Sequence, residues 1–193
     1  MKDLKKSTYA DTLDNAEKSG QITSEQRLAS EAILNNKFKE FEKLCEASQE
    51  LGERATDARL ASKGETPLFG AEDRAAQGDA DQIGVRSDKS VVSVYEAKGI
   101  GGKPGDRLAD GIRVDQGSTG YLNEILRLDE RIAQRLQEYA ENHPGSVFSE
   151  AFEQGSLKIE YEMVQALTDG RVKVTRYVLD YDRIEVPKAV RGG

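Results

Sequence analysis

The sequence holds one cysteine, Cys45, and one histidine, His143, among 193 residues. A lone cysteine excludes an intramolecular disulfide or a cysteine-rich zinc module and fits a reducing compartment. A lone histidine excludes, within this chain, mechanisms that need a histidine pair, such as cleavage through a ribose 2'-hydroxyl or a histidine-rich metal nuclease. Carboxylates and lysines are left to carry any chemistry. Positive charge is also in short supply: 28 Lys and Arg against 35 Asp and Glu give a net charge of -7. Contact with nucleic acid must then rest on a local basic surface. No run approaches the roughly 18–20 apolar residues of a membrane span. The start MKDLKKSTYADTL lacks the apolar segment of a signal peptide. The chain is therefore expected to be soluble, and any export signal is expected on a larger parent.

Apolar residues make up 37% and charged residues 33%, enough for one core. The expectation is an α/β domain over 46–193 with a helical extension over 1–45. Between 24 and 62, Leu28, Ala32, Ile33, Phe38, Phe41, Leu44, Leu51 and Ala55 recur at three- and four-residue steps. That spacing predicts a long amphipathic helix packing through its apolar stripe, capped by Thr23 or Ser24 and stopped at Lys63-Gly64. A shorter helix is expected over 3–18, and 64–80 reads as a loop with one short strand. Two β-rich runs, 81–86 and 90–95, stand at hairpin spacing around a Ser-Asp-Lys turn. After a glycine loop over 99–105, helical periodicity returns over 118–142 through Tyr121, Ile125, Leu128, Ile132 and Leu136. His143-Pro144-Gly145 breaks it. Residues 157–167 and 172–179 alternate around Asp169-Gly170, a hairpin signal.

Asp81 opens one strand and Glu96 closes the next, so an antiparallel pairing brings two hard oxygen ligands to one end of a sheet. Such a pair suits Mg2+ or Mn2+, which keep several waters and accept one or two carboxylates beside a phosphate oxygen. Lys98 follows Glu96 at the two-residue spacing that shares a strand face, where an ammonium can stabilise a charged transition state or orient water. An ordinary surface Glu-x-Lys pair has the same spelling. Here, however, the motif ends the most apolar strand and precedes a glycine loop.

The segment DQIGVRSDKSVVSVYEAKGIGGKPGDRLADGIRVDQGSTGYL resembles the PD-(D/E)xK, restriction-endonuclease-like toxin domains of bacterial polymorphic and contact-dependent inhibition toxins. The shared features are Asp81-Gln82-Ile83, Glu96-Ala97-Lys98-Gly99, Arg107, Gln116-Gly117-Ser118 and Tyr121, with Leu51-Gly52-Glu53-Arg54-Ala55 matching the first core helix. The resemblance covers roughly residues 50–125. It implies a restriction-endonuclease-like mixed sheet flanked by helices. Asp81 and Glu96 would be the main metal ligands, Glu53 a ligand held directly or through water, Lys98 the catalytic lysine, and Gln116 a group that positions the water or the lysine. Glu65, Glu72, Asp73 and Asp79 offer rival carboxylates. Lys103, Arg107 and Arg113, with Tyr121, would contact substrate. The activity implied is metal-dependent hydrolysis of DNA or tRNA phosphodiesters in a target cell's cytoplasm after delivery by a parent protein. A cognate immunity protein is the implied partner.

Three other motifs do not hold. GIGGKPG lacks the Ser or Thr after lysine of a phosphate loop. QGSTG lacks the first glycine of a nucleophile elbow, and His143 reads as a turn residue. Arg127, Arg131 and Arg135 lie at four-residue steps and could track a phosphate backbone, but acidic neighbours make them read as a solvated face. Two further readings fit the same residues: a non-catalytic binding module in which the long helix docks a partner, and a housekeeping repair or restriction nuclease of the same fold.

Overall fold

The computed structural model describes residues 2–69 and 80–187, with side chains from residue 8 onward. Two compact units divide the chain, Met1–Ala47 and Ser48–Gly193.

The first unit is a helical hairpin of α1 (Lys2–Lys18) and the first part of α2 (Ser24–Lys63). Thr23 is the cap of α2: its hydroxyl accepts from the Gln26 amide at 3.2 Å, and Gln26 Oε1 accepts in turn from the Thr23 amide at 2.9 Å. This reciprocal box settles the choice between Thr23 and Ser24. Arg27 ties the hairpin through Asp14 and Glu17, and Tyr9 and Phe38 meet at 6.3 Å between ring centroids. Within this unit the expected packing stripe is largely uncovered. Leu28, Ile33, Phe41 and Leu44 are all more than half exposed, because two helices alone cannot cover a second apolar face.

The second unit is built on a five-stranded mixed sheet in the order β1-β2-β3-β6-β7. The strands are β1 (Thr66–Pro67), β2 (Gln82–Val85), β3 (Val91–Lys98), β6 (Lys158–Ala166) and β7 (Val172–Arg176). β2 and β3 form the expected antiparallel hairpin, with Gln82 opposite Tyr95. β3 then pairs in parallel with β6, Val94 opposite Tyr161 and Glu96 opposite Met163. β7 is shorter than the periodicity suggested, ending at Arg176.

Alternation along β3 and β6 sorts two faces. Val92, Val94, Ile159 and Tyr161 join the main core with Leu122, Ile125, Ile132, Leu136, Phe148 and Phe152 from three helices. Those helices are α3 (Thr119–Leu128), α4 (Glu130–Asn142) and α5 (Val147–Gln154). Tyr95, Val164 and Ala166 face the other way, onto Ala55 and Leu60 of α2. Around that second cluster lies a charged lattice. Arg59 grips fully buried Glu162 at 2.9 and 3.1 Å, Arg176 reaches the same carboxylate at 3.1 Å, and Lys63 joins Glu65 and Glu160. Burial alone would push Glu162 up, but Arg59, Lys63 and Arg176 outweigh it and hold the carboxyl below its ordinary range.

The single helix expected over 118–142 is two. Buried Asp129 ends α3 and caps α4, its carboxylate accepting from the Arg131 amide. Arg127 therefore lies on a different helix from Arg131 and Arg135. Each arginine is paired with a carboxylate, Glu124, Asp129 and Glu138 in turn. His143 caps α4, stacked on Tyr139 with ring centroids 4.1 Å apart. Between β3 and α3 stands a separate two-stranded hairpin, β4 (Asp106–Ala109) and β5 (Ile112–Asp115), turning at Asp110-Gly111.

Candidate active site

The site is set by register. Gln82 faces Tyr95, so Asp81, one step back, stands beside Glu96 at the end of β3. The Ala97 amide donates to Asp81 Oδ2 at 2.8 Å, which fixes the carboxylate where the sheet would otherwise fray. The Asp81 and Glu96 carboxyl groups lie within hydrogen-bonding reach of each other. Glu96 is 3% exposed. Its Oε1 accepts from the Tyr161 hydroxyl at 2.9 Å, and Lys98 Nζ stands 3.6 Å from its Oε2. Glu96 and Lys98 thus share a strand face, as their spacing predicts.

Burial first, then the neighbouring Asp81 charge, push the Glu96 carboxyl up to about 7, against the pull of Lys98 and Tyr161. Asp81 is raised in the same direction, chiefly by burial, opposed by the Ala97 amide, Lys98 and a hydrogen bond with Glu96. Two carboxyl groups held together at this cost to their ionised forms are the arrangement that a cation relieves.

Helix α2 approaches this strand end through two glycines. A Cβ on Gly52 would stand 2.7 Å from the Lys98 carbonyl carbon, and one on Gly99 would stand 1.9 Å from the Ser48 carbonyl oxygen. Ser48 Oγ also donates to the Ile100 carbonyl at 3.2 Å. The close crossing leaves Glu53 near enough for its charge to raise Asp81. Glu53 itself is exposed and accepts from Gln49 Nε2 at 3.0 Å.

Gln116 is buried and braces the glycine loop. Its Oε1 accepts from the Gly105 amide at 3.0 Å, and its Nε2 points at the Tyr121 hydroxyl at 3.4 Å. Arg107 lies over the Tyr121 ring at 4.9 Å. Burial, then the Glu96 charge, push Tyr121 up to about 12, partly offset by Arg107. Gln116 and Arg107 thus both contact Tyr121, which feels the charges of Glu96 and Asp81. Lys103 is exposed on the loop, while Arg113 is 72% exposed and paired with Asp106 across the β4–β5 hairpin. Of the rival carboxylates, Glu65 is engaged on the opposite sheet face, accepting from Ser93 at 2.8 Å and Tyr95 at 2.6 Å. Glu72, Asp73 and Asp79 lie outside the described residues.

Sequence reasoning missed Tyr161, whose only signal is the alternation of β6 that puts it on the Glu96 side of the sheet. It also missed Tyr177, tilted at 45° against Tyr161 with ring centroids 5.0 Å apart and pressed against Gly117, where a Cβ would fall 2.2 Å from the ring. Among the described residues no group of three or more His, Cys, Asp or Glu side chains is gathered to hold a metal ion. The pair Asp81 and Glu96 supplies carboxylate oxygens, and Glu53 stays outside that pair, acting on Asp81 only through its charge. Among the described residues no helix is long and apolar enough to cross a membrane. The chain matches no family model, no curated protein and no solved structure.

Proposed function

We propose that the chain is a metal-dependent nuclease of the restriction-endonuclease-like class, hydrolysing phosphodiester bonds of DNA or tRNA. The observation that carries this reading is the convergence of Asp81, Glu96 and Lys98 at one end of the central strand, with Glu96 almost fully buried. A mixed sheet flanked by helices on both faces supports it. The donor set is hard oxygen and low in count, which fits Mg2+ or Mn2+ with water completing the shell.

Asp81 and Glu96 would hold the cation, with Glu53 reaching it through water. The cation would supply Lewis-acid polarisation of a phosphoryl oxygen. Lys98 places its ammonium beside Glu96, where it stabilises charge building on the phosphorus oxygens or orients the attacking water. Gln116 and Tyr121 brace the loop carrying Lys103, and Arg107, with Arg113 further out on the hairpin, would neutralise flanking phosphates. Following the resemblance, such a domain would serve as the toxin module of an interbacterial system, acting in a target-cell cytoplasm and neutralised by an immunity protein.

The test is incubation of the purified chain with plasmid and with total tRNA, with Mg2+, with Mn2+ and with EDTA. Cleavage of either substrate that needs the cation and is lost in Glu96→Gln supports the reading. Cleavage in chelator, or none of either substrate, removes it. The exposed apolar residues of the first unit favour a second reading, a non-catalytic docking module. Calorimetric titration with Mn2+ separates the two, since only a converging carboxylate site binds it.

A further inference from the structure

We infer that Tyr161 sets which divalent cation the carboxylate pair accepts, by occupying one oxygen of Glu96; this rests on the metal-dependent reading above. The Tyr161 hydroxyl donates to Glu96 Oε1 at 2.9 Å, with both side chains buried. On the neighbouring carboxylate, the Ala97 amide donates to Asp81 Oδ2 at 2.8 Å. One oxygen of each carboxyl is thus hydrogen-bonded by a protein donor; the opposite oxygens, Asp81 Oδ1 and Glu96 Oε2, the latter with Lys98 Nζ at 3.6 Å and so beyond hydrogen-bond distance, are the better donors to a cation.

Carboxylates restricted to one oxygen favour a small cation that takes few protein ligands and keeps its waters. Calcium, with six to eight oxygens at longer bonds, gains most from carboxylates free to offer both. Partners that hydrogen-bond to a ligand fix its orientation and are worth about 10–100-fold in metal affinity.

Tyr161 has little freedom to withdraw. Its ring leans on Tyr177, and Tyr177 is wedged against the Gly117 backbone while its hydroxyl reaches Met163 Sδ at 3.5 Å. Met163 is the register partner of Glu96 on β6, so the parallel strand pair itself carries the brace. The glycine of the Gln116-Gly117-Ser118 motif thereby acquires a physical reason: a side chain there would displace Tyr177.

The experiment is calorimetric titration of the full chain and of Tyr161→Phe with Mg2+, Mn2+ and Ca2+, with Tyr177→Phe as control. The wild-type chain is expected to bind Mg2+ and Mn2+ and to bind Ca2+ at least tenfold more weakly. Tyr161→Phe should lose about tenfold in Mg2+ affinity and hold or gain in Ca2+ affinity, so that the ratio moves tenfold or more. A parallel loss for all three cations, or no change, overturns the inference, as does an equal shift in Tyr177→Phe, whose hydroxyl does not touch Glu96. If the wild-type chain binds none of the three cations, the metal reading falls and this inference with it, a failure distinct from an unmoved ratio. Should Tyr161→Phe not fold, Tyr177→Leu, which removes the ring behind Tyr161, must move the ratio in the same direction; an unmoved ratio again overturns the inference.

Discussion

Asp81 and Glu96 stand side by side at the first step beyond the β2–β3 register, close enough that Asp81 raises the proton affinity of Glu96 while a hydrogen bond with Glu96 lowers that of Asp81. Since Glu96 rises from 4.5 to about 7, the native chain keeps a proton that the unfolded chain releases. Its stabilising contribution is fully present below about pH 4.5 and is lost as pH climbs through about 7, a loss on the order of 3 kcal/mol. Urea unfolding in EDTA from pH 4.5 to 8.5 should show this decline, and Glu96→Gln should flatten it. Mg2+ or Mn2+ should restore stability at the alkaline end. A Glu96→Gln profile that tracks the wild-type profile would show that another group titrates.

Lys98→Ala should reduce cleavage by about 10²-fold or more while leaving the urea midpoint close to that of the parent, because it removes a charge beside the reacting phosphate and no core volume. Single-turnover cleavage of the better of the two substrates measures this. A rate within severalfold of wild type would take Lys98 out of the chemistry.

Gly52→Ala and Gly99→Ala should each destabilise by about 1–3 kcal/mol, because the added methyl meets backbone rather than a movable side chain. Denaturant melts check the size. The same variants should lower Mn2+ affinity if the helix crossing positions Glu53.

Arg59→Ala leaves Glu162 buried with Arg176 and Lys63 as its remaining partners, and should cost about 3 kcal/mol. The paired change Arg59→Met with Glu162→Leu should recover most of that loss. A double variant as unstable as the single would mean that the lattice contributes more than the pairing of one buried charge.

Phe41→Ser and Leu44→Ser lie on the exposed stripe of α2 and should each change the unfolding free energy by no more than about 0.5 kcal/mol. A drop of several kcal/mol in thermal or urea melts would show that the stripe is covered in solution.

The parts of the site that could be read in the sequence are those set by local pairing. A two-residue period and a tight turn suffice to put Asp81 next to Glu96, and Lys98 on the face of Glu96. Helix α2 and its stop at Gly64 follow from periodicity and from the positive φ that glycine tolerates. The break at Asp129 was hidden because the apolar spacing runs through it unchanged, Ile125 and Leu128 leading to Ile132 and Leu136. The clue available was a cap residue followed by Glu130. Tyr161 was out of reach for another reason: nothing near it in sequence says which strand it will lie beside. The pairing of Arg113 with Asp106 on the β4–β5 hairpin is likewise not legible, because the sequence does not show which side chains that hairpin brings together.

The central pairing of the sheet joins residues about 67 positions apart, as Val91 to Lys158. Closing a loop of that length costs roughly 3–4 kcal/mol in chain entropy before any strand contact repays it. The hairpin that brings Asp81 to Glu96 closes over a few residues and can form early. The hydroxyl of Tyr161 joins Glu96 only with the long closure, so on topological grounds the site is completed after its carboxylate pair has been brought together.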